Sequence, residues 1–232
     1  MGAVKVHYDA VFLDIDGTLL WVDMDVEGYV EDLKLHATNG HLTVERAREP
    51  LQKGLRRHID QNINYPTEEQ LRGFRRGNAL EIAHTLGLDA PVQVLEEVLE
   101  KRISFNPYPE SEEVMEELVD MGLSLYAVSN WDVELEKVLN GIGWTGYFSG
   151  IVASAKVGFE KPEEGVFEEA LRISAVPRER VVHVGNDPVS DIQGAASCGI
   201  DAVLIDREDD LEAPEAVAIL GDLRGLPELV KG

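Results

Sequence analysis

From about residue 106 onward, short apolar runs alternate with amphipathic stretches of helical periodicity, and one further apolar run lies near the start of the chain. These runs predict strands at about residues 8–13, 123–128, 150–154, 180–184 and 201–205. The amphipathic stretches predict helices at about 111–121, 133–139, 161–173 and 189–198. Strands that are apolar throughout and alternate with helices are typical of a parallel sheet covered on both faces. We therefore predict an α/β fold with a doubly wound parallel sheet, followed from Asp206 by a tail of short peripheral helices.

Residues 21–105 have a different pattern, with apolar positions at helical spacing and few strand-like runs. Thr43 and Thr67 are placed to cap the starts of two helices, and Gly87 to end the second. A further helix is expected from Pro91 to about Ile103. The segment 106–109, Asn-Pro-Tyr-Pro, has the composition of a linker. We predict a core domain at 1–20 and 106–232, and an inserted domain at 21–105 that consists of about four helices without strands.

The composition narrows the choice of partner and compartment. The chain has 232 residues, 44% of them hydrophobic, and a formal net charge of -23. A field of that sign repels nucleic acid and anionic membrane surfaces, so neither is an expected partner. A single cysteine, Cys198, excludes an intramolecular disulfide framework, and no export signal is recognisable, so we expect a cytoplasmic protein. An anionic ligand would need a locally positive site.

Polar side chains stand where several predicted strands end. Asp14 and Asp16 follow the first strand; the others are Ser129 and Asn130, Asn186 and Asp187, with Asp191 in the next helix and Lys161 at a helix start. Ligands of open α/β sheets bind beyond the carboxyl ends of the strands. Asp14 and Asp16 would share a face if the strand continued through them, and two close carboxylates require a compensating cation, which we expect to be a metal.

In order and spacing, these residues resemble the haloacid dehalogenase superfamily of aspartate-nucleophile hydrolases. The matching motifs are Asp14-Ile-Asp-Gly-Thr18, Ser129-Asn130, Lys161-Pro162 and Gly185-Asn-Asp187 with Asp191. The helical insert stands where the family has its C1-type cap. The resemblance implies a Rossmann-like core and a cap whose closure excludes bulk water and selects the substrate.

The resemblance also implies the roles of individual residues. Asp14 would be the nucleophile that forms an aspartyl-phosphate, and Asp16 the general acid and base. Ser129 and Asn130 would bind the substrate phosphate. Lys161 would bind it too and neutralise developing charge, while Mg²⁺ would bridge substrate and carboxylates. An acid at position 16 separates the family's phosphatases from its dehalogenases. We therefore predict Mg²⁺-dependent hydrolysis of a small phosphorylated metabolite by a monomer or homodimer.

The fourth motif departs from the family pattern, which usually places Asp directly after the glycine. Here Asn186 holds that place and Asp187 follows. Asp14, Asp16 and Asp191 are the other expected metal-site residues. Either Asn186 coordinates the metal through its amide oxygen or Asp187 takes over the role; we favour Asp187.

Several alternatives stay open on sequence alone. A phosphomutase would use the same residues. A haloacid hydrolase of the superfamily is a further alternative, but the family's dehalogenases have no Asp at position 16, so Asp16 argues against it. A phosphonate hydrolase would need a Schiff-base lysine from the insert, for which the candidates are Lys34, Lys53 and Lys101. A binding module without turnover would retain the fold. Lys156 is a rival to Lys161, and His183 is expected to be an ordinary strand side chain.

Overall fold

A computed structural model describes residues 8–38 and 40–231 of the chain. These residues form two compact units. The sheet unit contains the described residues up to Trp21 and those from Pro107 onward, and the helical unit is Val22–Asn106. The chain therefore leaves the sheet unit after Trp21, forms the helical unit and returns to the sheet unit at Pro107.

The sheet unit is built on a parallel sheet. The strands of the described residues are β1 (Ala10–Leu13), β2 (Leu20–Met24), β3 (Ile103–Pro107), β4 (Ser124–Ser129), β5 (Phe148–Ala153), β6 (Val181–Gly185), β7 (Asp201–Ile205) and β8 (Ala218–Leu220). Six of them form one sheet in the order β5-β4-β1-β6-β7-β8, and every neighbouring pair is parallel. All residues of β1 and β6 are buried, as expected of central strands with both faces covered. The predicted fold class, a parallel α/β sheet flanked by helices, is confirmed.

Helices account for most of the remaining residues. They are α1 (Val26–Leu33), α2 (Val44–Gln61), α3 (Glu68–Leu86), α4 (Val92–Arg102), α5 (Ser111–Asp120), α6 (Leu135–Gly141), α7 (Ser154–Val157), α8 (Glu164–Ser174), α9 (Gly194–Ser197) and α10 (Leu226–Lys231). A π-helix at Pro188–Gln193 leads directly into α9. Across residues 8–38 and 40–231, none of the helices combines the length and apolar character that crossing a bilayer requires.

The helical unit contains α1 to α4, and its helix ends follow the predicted signals. The Thr43 and Thr67 hydroxyls accept hydrogen bonds from the backbone N–H groups of Arg46 and Gln70, which caps α2 and α3. Gly87 ends α3 in the left-handed conformation at φ +69°, where glycine carries no Cβ penalty. Apolar side chains from all four helices pack into one core. Local sequence therefore set these helix boundaries.

Three predictions about local structure are wrong. The insert was expected to lack strands, but β2 and β3 pair at its two ends, with backbone hydrogen bonds from Asp25 to Arg102 and from Tyr108 to Leu19 on either side. Part of the predicted linker at 106–109 consequently belongs to β3. The tail was expected to be helical only, yet β8 adds a strand to the sheet edge beside β7. The helix predicted at 189–198 is, by contrast, present: a π-helix at Pro188–Gln193 continues into an α-helix at Gly194–Ser197.

Candidate functional site

The candidate site lies at the carboxyl ends of three adjacent strands. β1 lies between β4 and β6, so the residues that follow their ends become neighbours. Asp14 directly follows β1, Ser129 ends β4, and Asn186 directly follows β6. The structure therefore brings together side chains that are up to 172 positions apart in the sequence, at the edge where open parallel sheets bind ligands.

Asp14 lies at the centre of this edge and is buried. Its Oδ1 accepts hydrogen bonds from Ser129 Oγ at 2.9 Å and from Lys161 Nζ at 2.6 Å. Its Oδ2 accepts one from Thr18 Oγ1 at 3.1 Å. Because both oxygens have partners on different elements, the carboxylate is fixed in one orientation, with a cation directly against it.

Lys161 joins Asp14 to a second buried carboxylate. Its Nζ lies 2.6 Å from Asp14 Oδ1 and 2.5 Å from Asp191 Oδ1, and 2% of its side chain is exposed. The rival, Lys156, has 45% of its side chain exposed and lies near Glu136. The structure thus places Lys161, and not Lys156, beside Asp14.

The backbone of Lys161 is held by Asn130. The Asn130 amide donates from Nδ2 to the Lys161 carbonyl oxygen at 2.9 Å, and its Oδ1 accepts from the Lys161 N–H at 2.7 Å. Both ends of the amide are therefore used to position the lysine. A phosphate contact by the Asn130 side chain stays a prediction.

Burial and charge act in opposite directions on these three groups. Burial raises the pKa of Asp14, and the nearby Lys161 ammonium offsets only part of that rise. Burial also works to raise the pKa of Asp191, but its interactions with Lys161 and His183 outweigh this and hold the pKa well below its usual range. For Lys161, burial works to lower the pKa, yet the Asp14 and Asp191 carboxylates raise it on balance. The ammonium is therefore the stable form of Lys161 here.

Asp191 is held from three sides. Its Oδ1 contacts both Lys161 Nζ and His183 Nε2, the latter at 2.9 Å, and its Oδ2 accepts from the Asp187 N–H at 3.0 Å. Gly185 makes room for it, since a Cβ at that position would lie 2.1 Å from Asp191 Cγ. Asp191 is therefore fixed in orientation, and its Oδ1 holds the Lys161 ammonium next to Asp14.

The side chains of Asn186 and Asp187 make different contacts. Asp187 Oδ1 accepts from the backbone N–H groups of Val189 and Ser190, so this carboxylate caps the π-helix. Asn186 lies against the loop after β1: its Oδ1 is 3.3 Å from Thr18 Oγ1, and a Cβ on Gly17 would meet its amide at 2.4 Å. The geometry therefore favours Asn186 over Asp187 as the residue that faces Asp14, and metal contact by either stays a prediction.

Asp16 has surroundings unlike those of Asp14. β1 ends at Leu13, before either aspartate, so strand alternation does not decide which way they face. Asp14 is 5% exposed, whereas Asp16 lies at the exposed surface of the turn, followed by Gly17 at φ +84°. The Asp14 carboxylate is enclosed and that of Asp16 is accessible to solvent, so the two carboxylates are suited to different chemical roles.

We expect Gly185→Ala to reduce turnover strongly, because the added methyl group would displace the Asp191 carboxylate and with it Lys161. The loss in kcat should be at least about tenfold, as for other changes to groups that orient active-site residues. Steady-state kinetics with thermal unfolding would measure it. Gly146→Ala is the matched control, since nothing lies within 4 Å of a Cβ there. Equal kcat values for the two variants would contradict the expectation.

Two residues make contacts in the site that were not predicted from the sequence, where His183 was expected to be an ordinary strand side chain. Thr18, fully buried, bonds Asp14, and His183, also fully buried, bonds Asp191. A usable signal existed for His183, because it is the one polar residue among the valines of β6. Thr18 lies inside a matching motif, where its hydroxyl gives no separate signal.

The oxygen atoms at this edge suit Mg²⁺. Among the residues that the structure describes, no group of three or more His, Cys, Asp or Glu side chains is arranged to hold a metal ion. Asp14 Oδ2 and Asn186 Oδ1, however, both lie beside Thr18 Oγ1, at 3.1 and 3.3 Å. Mg²⁺ commonly takes one or two carboxylates and completes its shell with water and substrate phosphate. The donor set therefore fits the ion without a three-acid cluster.

Comparison with known proteins places this geometry in a family. A model of the haloacid dehalogenase-like hydrolases matches residues 8–199. A phosphoserine phosphatase of Thermus thermophilus is 35% identical over 136 residues, which is 57% of this chain and 54% of that protein. The chain thus spans about half the length of that relative. A glyceraldehyde 3-phosphate phosphatase of Methanothermobacter thermautotrophicus is 31% identical over 208 residues, or 86% of each protein.

A solved structure supports the fold alone. The 2-haloacid dehalogenase of Pseudomonas syringae pv. Tomato is similar with a TM-score of 0.67 at 23% identity, over 97% of this chain and 98% of that one. At this identity the likeness concerns the path of the backbone, and the chemistry has to be argued from the side chains.

Proposed function

The chain belongs to the haloacid dehalogenase-like hydrolases, and within that family we propose that it is a Mg²⁺-dependent phosphomonoester hydrolase that forms an aspartyl-phosphate. One observation carries the proposal: the Asp14 carboxylate is enclosed and held in one orientation, with the Lys161 ammonium 2.6 Å away. The names of the two relatives described above, both phosphatases, support the same class of substrate.

In the first step, an Asp14 oxygen attacks the phosphorus of the substrate. A bond forms between that oxygen and phosphorus while the bond from phosphorus to the leaving alcohol oxygen breaks. Asp16 donates its proton to the leaving oxygen, so the product departs as a neutral alcohol. The exposure of Asp16 suits this task, because a general acid must reach an atom of the substrate.

In the second step, water releases the phosphate. Asp16, now ionised, takes a proton from the attacking water, the new oxygen–phosphorus bond forms, and the bond to Asp14 breaks. Free phosphate leaves and Asp16 again carries a proton. The two aspartates thus have different roles that correspond to their different surroundings.

Lys161 and Ser129 give this acidic chain a place for an anion. Lys161 supplies a buried positive charge against the phosphoryl group, where low polarity makes it more effective than in water. Ser129 bonds Asp14 and is placed to donate to a phosphoryl oxygen instead once substrate is bound. Asn130 fixes the Lys161 backbone so that the ammonium stays in place in both steps.

Asp14 and Asn186 would hold the Mg²⁺, with Asp16 two residues after Asp14 in the loop that follows β1. When bound, the ion supplies positive charge that reduces the repulsion between the Asp14 carboxylate and the phosphate. Asn186 offers a neutral oxygen where the family pattern has a carboxylate, so the protein contributes one negative charge fewer to the ion. Asp191 acts through Lys161, and Asp187 caps the π-helix.

A screen of phosphorylated metabolites, with Mg²⁺ or with EDTA, tests the proposal. We expect phosphate release from at least one small phosphomonoester, reduced at least about tenfold by EDTA and restored by Mg²⁺. The panel should include a 2-haloacid assayed for halide and a sugar phosphate assayed for isomerisation. Halide release or isomer formation without net phosphate release would contradict the proposal, as would inactivity towards the whole panel.

A further inference from the structure

His183 is a polar residue in an otherwise apolar part of the sheet core. It is fully buried in β6, paired with Phe12 on one side and Ala202 on the other. The Phe167 ring stands edge-on to it, with ring centroids 5.2 Å apart. Burying a polar group costs free energy unless it is hydrogen-bonded. The hydrogen bonds of this imidazole must therefore explain how the core accommodates it.

The two nitrogen atoms of His183 differ in their contacts. Nε2 lies 2.9 Å from Asp191 Oδ1. Nδ1 is buried and has no hydrogen-bond partner among the described residues. A hydrogen on Nδ1 would meet no acceptor, whereas one on Nε2 meets a carboxylate. The geometry therefore assigns the hydrogen to Nε2 and gives the imidazole a single polar task, which is to donate to Asp191.

The hydrogen bond from His183 orients Asp191, the carboxylate that contacts the Lys161 ammonium. Asp191 Oδ1 receives both the imidazole and the lysine ammonium, while Oδ2 is held by a backbone N–H. Without His183, Asp191 Oδ1 keeps only the flexible lysine chain as partner, and the carboxylate gains freedom to rotate. The Lys161 ammonium, shared between Asp191 and Asp14, would then lose its fixed position at the reacting carboxylate.

We propose that His183 is a positioning residue for phosphoryl transfer, which orients Asp191 and thereby keeps the Lys161 ammonium at Asp14. The register supports this. His183 pairs with Phe12 in the sheet, and paired residues share a face. Phe12 lies two residues before Asp14, so His183 is close to the end of β1 that Asp14 follows. The inference rests on the proposed function, since it assigns a role within that reaction.

A pair of variants of similar size separates the hydrogen bond from packing. His183→Leu removes the donor, and His183→Gln keeps an N–H at a similar reach. With an aryl phosphate and Mg²⁺, we expect His183→Leu to lower kcat by about 10- to 100-fold, with KM within about twofold of the wild type, because His183 does not touch the substrate. His183→Gln should recover most of kcat. Phe167→Leu, which changes only the packing beside the imidazole, should lower the melting temperature without this loss of kcat.

Each outcome decides the matter. Full kcat in folded His183→Leu would overturn the inference, and so would a His183→Gln variant as slow as His183→Leu. A wild type that releases no phosphate refutes the proposed function instead. If the variants do not fold, imidazole ¹⁵N NMR of the wild-type protein serves: a hydrogen on Nε2, whose signal shifts in Asp191→Asn, is expected, and a hydrogen on Nδ1 alone would refute the assignment.

Discussion

Asp14→Asn is expected to abolish turnover while leaving the fold intact. An amide is a very poor nucleophile towards phosphorus, so kcat on an aryl phosphate with Mg²⁺ should fall by about 10⁴-fold or more, as for other removals of a nucleophile. The amide has nearly the shape of the carboxylate, and its oxygen still accepts a hydrogen bond from Ser129 or Lys161. Thermal unfolding should therefore resemble that of the wild type.

A second aspartate of the sheet unit provides the matched control. Asp201 begins β7 and accepts a hydrogen bond from the Tyr8 hydroxyl, far from the carboxyl ends of the strands. Asp201→Asn keeps an acceptor there and should retain wild-type kcat. In acid-quenched reactions, phosphate from the substrate should stay attached to wild-type protein and to Asp201→Asn, but not to Asp14→Asn. Unchanged turnover in Asp14→Asn would remove the nucleophile assignment.

The parallel sheet could be predicted because its strands carry their own signal. Ala10–Leu13 and Val181–Gly185 are buried throughout, so they appear as continuous apolar runs. β2 and β8 carry no such signal. Leu20–Met24 contains Trp and Asp and alternates in burial, and it becomes a strand by pairing with residues about 80 positions later. Ala218–Leu220 has three residues and depends on β7. Pairing between distant segments, which a local pattern does not encode, decided these two strands.

The sequence predicts which residues come together in the site, but not which hydrogen bonds each of them makes there. Strand ends place Asp14, Ser129 and Asn186 together, because parallel strands share a carboxyl edge. The choice between Asn186 and Asp187 depends on which of two adjacent side chains turns towards Gly17 and which caps the π-helix. Asn186 and Asp187 are adjacent, so their distances along the sequence from the other motifs differ by only one residue. Only the backbone conformation after β6 determines which of the two side chains faces the site.

Lys161→Met is expected to destabilise the protein as well as inactivate it. Methionine fills a similar volume but leaves Asp14 and Asp191 buried without the ammonium that lies 2.6 and 2.5 Å from them. Removing one partner of a buried ion pair typically costs about 3–5 kcal/mol. Denaturant unfolding would measure the change in the free energy of unfolding, and an aryl phosphate assay the loss of activity.

The pH dependence of that cost follows from which groups change. Without the ammonium, burial and mutual repulsion raise the pKa values of Asp14 and Asp191 in the folded state above the unfolded value of about 3.9. The folded variant then binds more protons than the unfolded chain, so its stability falls as pH rises above that value. In the wild type, Lys161 and His183 hold the pKa of Asp191 low, which gives the opposite trend for that group. The destabilisation should therefore be smaller at pH 5 than at pH 8.

Lys156→Met controls for the loss of a lysine as such. Lys156 lies five residues earlier, with 45% of its side chain exposed and its Nζ 3.5 Å from Glu136. Because solvent screens such a pair, its loss should cost less than about 1 kcal/mol at any pH in this range. Adding Asp191→Asn to Lys161→Met removes one of the two stranded charges and should recover part of the stability without restoring turnover. If Lys161→Met costs no more than Lys156→Met, the ammonium does not hold the two carboxylates together, and its role would be confined to the substrate.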